Sequence, residues 1–351
     1  MHKKFRLRFG FSYADNRKSK IEKRPRRLKL AGLVTLAFTF VFGGGVGAQP
    51  TKIPRIGYLD AASLSLNAAR NEAFRQGLLA LGYVEGKNIV IEWRSAEGKL
   101  DRLPALASEL VHLKVDIIVS AGSSVTRAAK EATSTIPIVM AQASDPVANR
   151  FVASLARPGG NITGLSTLAP ELSGKRLELL KEIIPKLSRV AVLGTSTQPG
   201  YAQVLKEIEL AAGALKVKLQ YLDVLGSKDI ETAFRAATKG RADAVLVLSS
   251  PVLVSVRTQI VELAVKSRLP VIYPDSLYVD AGGLMTYSTS ITDLNRRAAA
   301  YVDKILKGRP PADLPVEQPI KFEFIVNLKT AKQIGLTIPP NVLVRADRVI
   351  K

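Results

Sequence analysis

From about residue 53 onward, short apolar runs alternate with stretches in which apolar residues recur every three or four positions. The first pattern predicts strands and the second helices. Strands are predicted for RIGYLD (55–60), NIVIEWRSA (88–96), VDIIVSAG (115–122) and IPIVMA (136–141), with helices over 66–81, 101–113 and 123–133. Phe74, Leu78 and Leu81 share one face of the first of these helices. The same order returns as strands RVAVLGTS (189–196), KLQYLDV (218–224), ADAVLVLSS (242–250) and LPVIYPDS (269–276), with helices over 201–215, 228–240 and 252–267. Between the copies, 145–168 predicts a helix and then a strand, and 171–187 a helix that opens the second copy. Behind them follow a strand-like 282–289, a helix over 291–307, a Pro-rich connector (307–319) and a closing segment (320–336).

Landmarks in the two copies pair at nearly constant offset: Arg55 with Arg189 (134 residues), Asp101 with Asp229 (128), Asp116 with Asp243 (127) and Pro137 with Pro270 (133). A duplicated β-α-β-α-β-α-β order predicts an α/β fold of two Rossmann-like, doubly wound lobes, each an open parallel sheet with helices on both faces. The near-continuous apolar strands agree, because parallel strands are buried on both faces. Two sheets with several crossovers make a cleft whose walls can hinge.

Charge and composition change this picture at the N-terminus. The 351 residues carry 51 Lys and Arg against 30 Asp and Glu, a formal charge of +21. Residues 1–30 hold twelve of those cations against Asp15 and Glu22, so they supply +10 and leave +11 for the rest. The apolar run LAGLVTLAFTFVFGGGVGA (30–48) follows, ending in small residues. A basic stretch, an apolar stretch and a small-residue exit predict a signal peptide over 1–48, cleaved after about Ala48, and a periplasmic location for the remainder. The remaining charge forms no block and no basic stripe with aromatics, so no nucleic-acid partner is expected. The absence of cysteine excludes disulfides, thiol nucleophiles, zinc–thiolate sites and iron–sulfur clusters. His2 lies in the leader and His112 late in a helix, where a surface or packing role is expected. Trp93 is expected to pack on a sheet face. Gly159-Gly160 and Gly282-Gly283 match neither a GxGxxG nor a Walker pattern, so no nucleotide cofactor is expected. With no cysteine and one histidine outside the leader no metal site is expected, and without a clustered nucleophile and base no catalytic group is expected.

Open parallel sheets bind ligands beyond the carboxyl ends of their strands, near helix N-termini. In the first copy these positions are Asp60, Ser63, Ser123, Ser124, Thr126, Ser144 and Asp145. In the second they are Thr195, Ser196, Gln198, Ser249, Ser250, Asp275, Ser276 and Tyr278. Ser123 and Ser124 follow a strand directly and open a helix, where one serine is expected to cap the helix and the other, with the free N–H groups, suits a carboxylate. Asp145-Pro146 reads equally as a helix start and as a carboxylate facing the cleft. Asp275 reads equally as a loop carboxylate and as a partner for a ligand ammonium. Tyr278 and Tyr287 are candidate aromatic walls, although packing is the commoner role.

Several stretches resemble one family: GYVEGKNI within 74–119, SDPV (144–147), SLARPGGNITGLS (154–166), ELSGKRLELLKE (171–182), AGGLMTY (281–287) and KFEFIVNLKTAKQIGLTIP (321–339). The sequence is similar over nearly all of 53–350 to ABC-transporter substrate-binding proteins that include tryptophan- and tyrosine-binding members. The resemblance implies the type I periplasmic binding fold, with an N-terminal lobe over 53–165 plus 284–318, a C-terminal lobe over 166–283 plus 319–351, and a three-segment hinge. It implies a monomeric, non-enzymatic receptor that captures a small solute, an amino acid or related carboxylate, and delivers it to an ABC permease. It further implies that Ser123, Ser124 and Thr126 hold the carboxylate, and that Asp145, Ser196, Ser250 and Asp275 meet the rest. The stretches GTSTQPG (194–200) and SSPVLVS (249–255) match no known ligand set. The alternative is a membrane-anchored sensing module built from the same lobes, retained by 30–48.

Overall fold

The computed structural model describes residues 52–351. The expected signal peptide lies outside these residues. The first half of the chain gives β1 (Arg55–Asp60), α1 (Ala68–Ala80), β2 (Val90–Ser95), α2 (Leu103–His112), β3 (Ile117–Ala121), α3 (Ser123–Ala132), β4 (Ile138–Ala143) and β5 (Ile162–Ser166). These strands form one parallel sheet in the order β2-β1-β3-β4-β5.

The chain then builds α4 (Ala169–Ile183), β6 (Arg189–Gly194), α5 (Tyr201–Leu215), β7 (Lys218–Asp223), α6 (Ile230–Lys239), β8 (Ala244–Val247), α7 (Pro251–Ser255), α8 (Arg257–Lys266), β9 (Val271–Tyr273), α9 (Ser276–Asp280) and β10 (Met285–Thr289). It returns to the first lobe for α10 (Ile291–Leu306), then ends as β11 (Phe322–Asn327), α11 (Leu328–Ile334), α12 (Pro340–Leu343) and β12 (Arg348–Ile350). The second sheet has the order β12-β11-β10-β9-β8-β6-β7, parallel except where β10 meets β11.

Period-two side-chain alternation puts each sheet between two apolar layers. Ile56, Tyr58, Ile117 and Val119 meet Phe74 and Leu78 of α1 and Leu294, Ala298 and Val302 of α10. Leu59, Ile118, Ile138 and Met140 meet α2 and α3 on the other face. In the second lobe, Val190, Val192 and Leu246 pack against α4 and α5, and Ala191, Leu193 and Val245 against α6 and α8. Trp93 packs beside Tyr58 and Phe74, and His112 is an exposed residue that caps its own helix through the Ser108 carbonyl.

Three expectations are corrected. No helix forms after Asp145. Its carboxylate accepts the Ala148 N–H, one turn closes onto its carbonyl, and Arg150 turns left-handed (φ 57°), which stops propagation. The helix expected over 252–267 breaks at Val256 into α7 and α8. Residues 284–289 do not belong with the first lobe: β10 pairs with β9 and β11 in the second sheet, so the crossing lies at Ser290.

The chain passes between the lobes at Thr167–Leu168, at Ser290 and between Glu317 and Lys321, and these strands are tied side by side. Thr289 Oγ1 donates to the Thr167 carbonyl (2.9 Å), and Ser290 N–H to the Lys321 carbonyl (3.0 Å). Ser166 N–H donates to Glu317 and Glu317 N–H to Gly164, and Arg297 pairs with the Glu317 carboxylate at 2.5 Å.

Candidate functional site

A cavity of about 120 Å³ lies between the lobes, where β1, β3 and β4 point their carboxyl ends at those of β6, β8 and β9. It is close in size to a cavity of roughly 150 Å³ that accepts a benzene, so it suits a small organic solute. Thr167 and Thr289, from two of the crossing segments, form part of its wall.

On the first lobe, Gly122 (φ 115°) turns β3 directly into α3, a backbone state that an L side chain strains to adopt. Ser123 Oγ accepts the Ser144 N–H (2.9 Å), and Ser124 Oγ reaches across to donate to Gln198 Oε1 (2.9 Å). Asp60 is buried at the end of β1. Its carboxylate accepts from the Ala62 N–H (3.0 Å) and from Asn67 Nδ2 (2.7 Å). Burial nonetheless dominates and holds its carboxyl above the ordinary 3.8, against those hydrogen bonds and the nearby Arg70.

This shift has a definite sign in stability. With the folded-state pKa raised, the Asp60 contribution is fully present below 3.8 and is lost as pH rises through the folded value. Asp60→Asn is therefore expected to gain stability relative to the wild type between strongly acidic and neutral pH. Urea midpoints across that range check it, and a difference that is flat or of opposite slope counts against it.

On the second lobe, Ser250 Oγ shares a hydrogen bond with Thr195 Oγ1 (2.8 Å). Asp275 starts α9, its Oδ1 accepting the Leu277 N–H (3.0 Å), and its Oδ2 meets an Nη of Arg70 from α1 at 2.5 Å. This ion pair joins the two lobes and is nine-tenths buried on both sides. Arg176 of α4 also lines the cavity, held through Nε to the Tyr287 carbonyl (2.7 Å) and through one Nη to Ser173 Oγ (3.2 Å). Desolvation lowers its pKa to about 10, with Asp275 acting the other way, so the group is a buried cation at neutrality. Leu172, Val204, Leu248, Val254 and Pro251 supply an apolar part of the wall.

The structure gathers Asp60, Ser123, Ser124, Ser144, Ser250 and Asp275 around this cavity, with Gln198 and Ser249. It does not bring Thr126, Asp145, Ser196 or Tyr278 to it. Thr126 Oγ1 turns back to Ser120 Oγ and the Gly122 carbonyl (both 2.9 Å). Asp145 is used up in its own turn, and Ser196 binds Asp223 through both its N–H (2.8 Å) and its hydroxyl (2.6 Å). Tyr278 stacks on Tyr273 at 4.8 Å inside the second core, and Tyr287 lies against Phe322. Asp275 faces the cavity but is already paired.

Gln142, at the carboxyl end of β4, was not among the expected strand-end residues, and Arg70, Asn67, Arg176 and Tyr201 line the site from positions off the expected strand ends. One signal marks Arg176: it occupies the apolar stripe Ser173–Arg176–Leu177–Leu180 of an amphipathic helix, where a charge needs a reason. Among the described residues, no group of three or more His, Asp or Glu is placed to hold a metal.

Comparison with known proteins supplies four findings. A family model described as ABC transporter substrate binding protein matches residues 63–350. A tyrosine-binding protein of Clostridioides difficile (strain R20291) is 26% identical over 272 residues, 78% of each chain. A Streptococcus pneumoniae ABC domain in complex with L-Trp superimposes with a TM-score of 0.77 at 26% identity, over 84% of this chain and 100% of the other. A ligand-free, open substrate-binding protein with adhesive properties from Clostridium difficile gives 0.64 at 25% identity, over 85% and 99%.

Proposed function

Because the chain belongs to the ABC transporter substrate-binding protein family, with the type I periplasmic binding fold, we propose that it is the extracytoplasmic receptor of an ABC importer. In this reading it takes an amino acid or related small carboxylate between its lobes and closes about the three crossing segments. The observation that carries it is a cavity walled by both lobes and bridged by Arg70–Asp275 and Ser124–Gln198. The greater likeness to the L-Trp complex than to the ligand-free open structure, at near-equal identity, supports a closed arrangement of the lobes.

Closure is a population shift. Full reversal of a 1:99 equilibrium needs roughly 5.5 kcal/mol of differential affinity. Two or three charge-assisted hydrogen bonds at about 1.5–3 kcal/mol each supply it. The closed surface is then what a permease reads. The receptor acts as a monomer and performs no catalytic step. Among the described residues no helix is long and apolar enough to cross a membrane. The basic, apolar leader is proposed to export the chain to the periplasm.

A thermal-shift panel of amino acids, aromatic acids, purines, sugars and short peptides tests the reading. An amino acid at a hundredfold excess over its dissociation constant is expected to add about 2.7 kcal/mol of stability. A shift produced only by sugars or purines counts against the proposed ligand class, and silence across all classes counts against the receptor role.

A further inference from the structure

The reading above leaves open which group meets the solute's anion. Helix α3 offers three hydroxyls, but two of their hydrogens are committed within the protein. Thr126 donates to the Gly122 carbonyl, and Ser124 to Gln198. Ser123 keeps its hydrogen, since its oxygen is the acceptor for Ser144, but it carries no charge. Arg70, the cation on the first lobe's wall, is already neutralised by Asp275. A carboxylate drawn into this cavity would lose its hydration and find no free cation on that side, which is costly.

Arg176 differs from Arg70 in one respect. It enters none of the ion pairs among the described residues, although its side chain is only 3% exposed as a residue. A guanidinium has five N–H donors in a fixed fork. Two of them are spent, on Tyr287 and Ser173, and the group borders the cavity. A buried cation that feels Asp275 only beyond contact distance, while that carboxylate is paired with Arg70, is a cost to the protein alone and a gain once an anion arrives in the cavity. The position is tied to two crossings, because α4 begins at Ala169 directly after Thr167–Leu168 and Tyr287 lies three residues before Ser290.

We propose that Arg176 is the anion anchor of the cavity, binding the solute carboxylate from the second lobe through its unspent N–H edge, with the Ser123 hydroxyl meeting it from the first. This rests on the amino-acid reading and deepens it: the site requires an ionised carboxylate, not merely a polar end. Arg176 is thereby a specificity residue, and its bond to Tyr287 couples the anchor to the segment about which the lobes move.

The test is calorimetry of the purified protein with L-tryptophan and L-tyrosine, each against its carboxamide. The wild type is expected to prefer acid to amide by about 100-fold, the scale of a charge-assisted hydrogen bond in a dry site. Arg176→Met is expected to weaken the acid by about 100-fold and to bring acid and amide within about threefold of each other. Arg176→Lys keeps the charge without the fork, so it is expected to lose about tenfold and keep the acid preference. A purely structural role would weaken acid and amide alike. A folded Arg176→Met protein that still prefers the acid overturns the proposal. If that variant does not fold, Arg176→Lys decides, and loss of its acid preference overturns it. Wild-type protein that binds acid and amide equally overturns the anchor and leaves the receptor reading standing. If none of the four binds, the amino acid with the largest thermal shift is compared with its own carboxamide under the same criteria, and a panel silent on every amino acid overturns both the anchor and the amino-acid reading.

Discussion

Gly164→Ala is expected to destabilise the folded protein by about 3–5 kcal/mol, the sum of overpacking against a fixed neighbour and an unfavourable backbone state. Gly164 adopts φ 130° in β5, opposite Met140 of β4. A Cβ there would stand 2.2 Å from the Met140 carbonyl oxygen and 2.6 Å from its nitrogen. Both are backbone atoms of a central strand, so no rotamer change relieves the clash. The Gly164 carbonyl also accepts the Glu317 N–H, which ties a crossing segment to the first sheet. Gly160→Ala is the control, because a Cβ at Gly160 meets nothing within 4 Å. Urea unfolding of both variants checks the prediction. A Gly164→Ala midpoint equal to that of Gly160→Ala would show that the strands separate easily, contrary to their register.

Asp275→Ala is the second large effect. Its carboxylate caps α9 and neutralises Arg70, and the pair's side chains are 12% and 11% exposed. Removing one partner of a buried pair leaves the other charge uncompensated, at about 3–5 kcal/mol. Part of that cost falls on the contact between the lobes and not on either lobe, because Arg70 and Asp275 come from different lobes. The dissociation constant for the amino acid that gives the largest thermal shift is therefore expected to rise by about 100-fold. Small-angle scattering of the ligand-free protein is expected to show no decrease in radius. Arg70→Met combined with Asp275→Leu should recover part of the loss, since no charge is then stranded. An affinity unchanged by Asp275→Ala, with a normal unfolding midpoint, contradicts the cross-lobe role.

The repeated strand–helix order was legible because parallel strands are apolar throughout and helices carry a one-sided stripe. Pairing between distant segments was not. The segment 282–289 reads as a short strand, but its lobe depends on β11, which lies beyond the whole of α10 and the connector. Asp145-Pro146 looks like a helix start because the same two residues begin helices and tight turns alike. Arg150, four residues on, decided between them.

The site was legible to the resolution of a strand end and no further. Ser123 and Thr126 share a helix, but one side chain meets the cavity edge and the other folds back on β3. Thr195 and Ser196 are neighbours that face opposite ways, one to Ser250 and the other to Asp223. A one-residue step reverses a side chain at the end of a strand, and apolar periodicity does not report where the strand stops. Arg70 and Arg176 escaped because charged residues on helices are usually solvated.

The placement of α10 bears on the order in which the molecule can be built. The first sheet's strands are all present once residue 166 has been made, yet the face bearing Ile56, Tyr58, Ile117 and Val119 lacks its α10 cover until residue 306. The second sheet waits longer still, for β11 and β12 at the chain's end. A chain made from its N-terminus is thus expected to complete both apolar cores only over its last third, with its long-range contacts forming last. Each lobe therefore needs residues from the last third of the sequence to close its core, so neither half of the chain carries a complete lobe by itself.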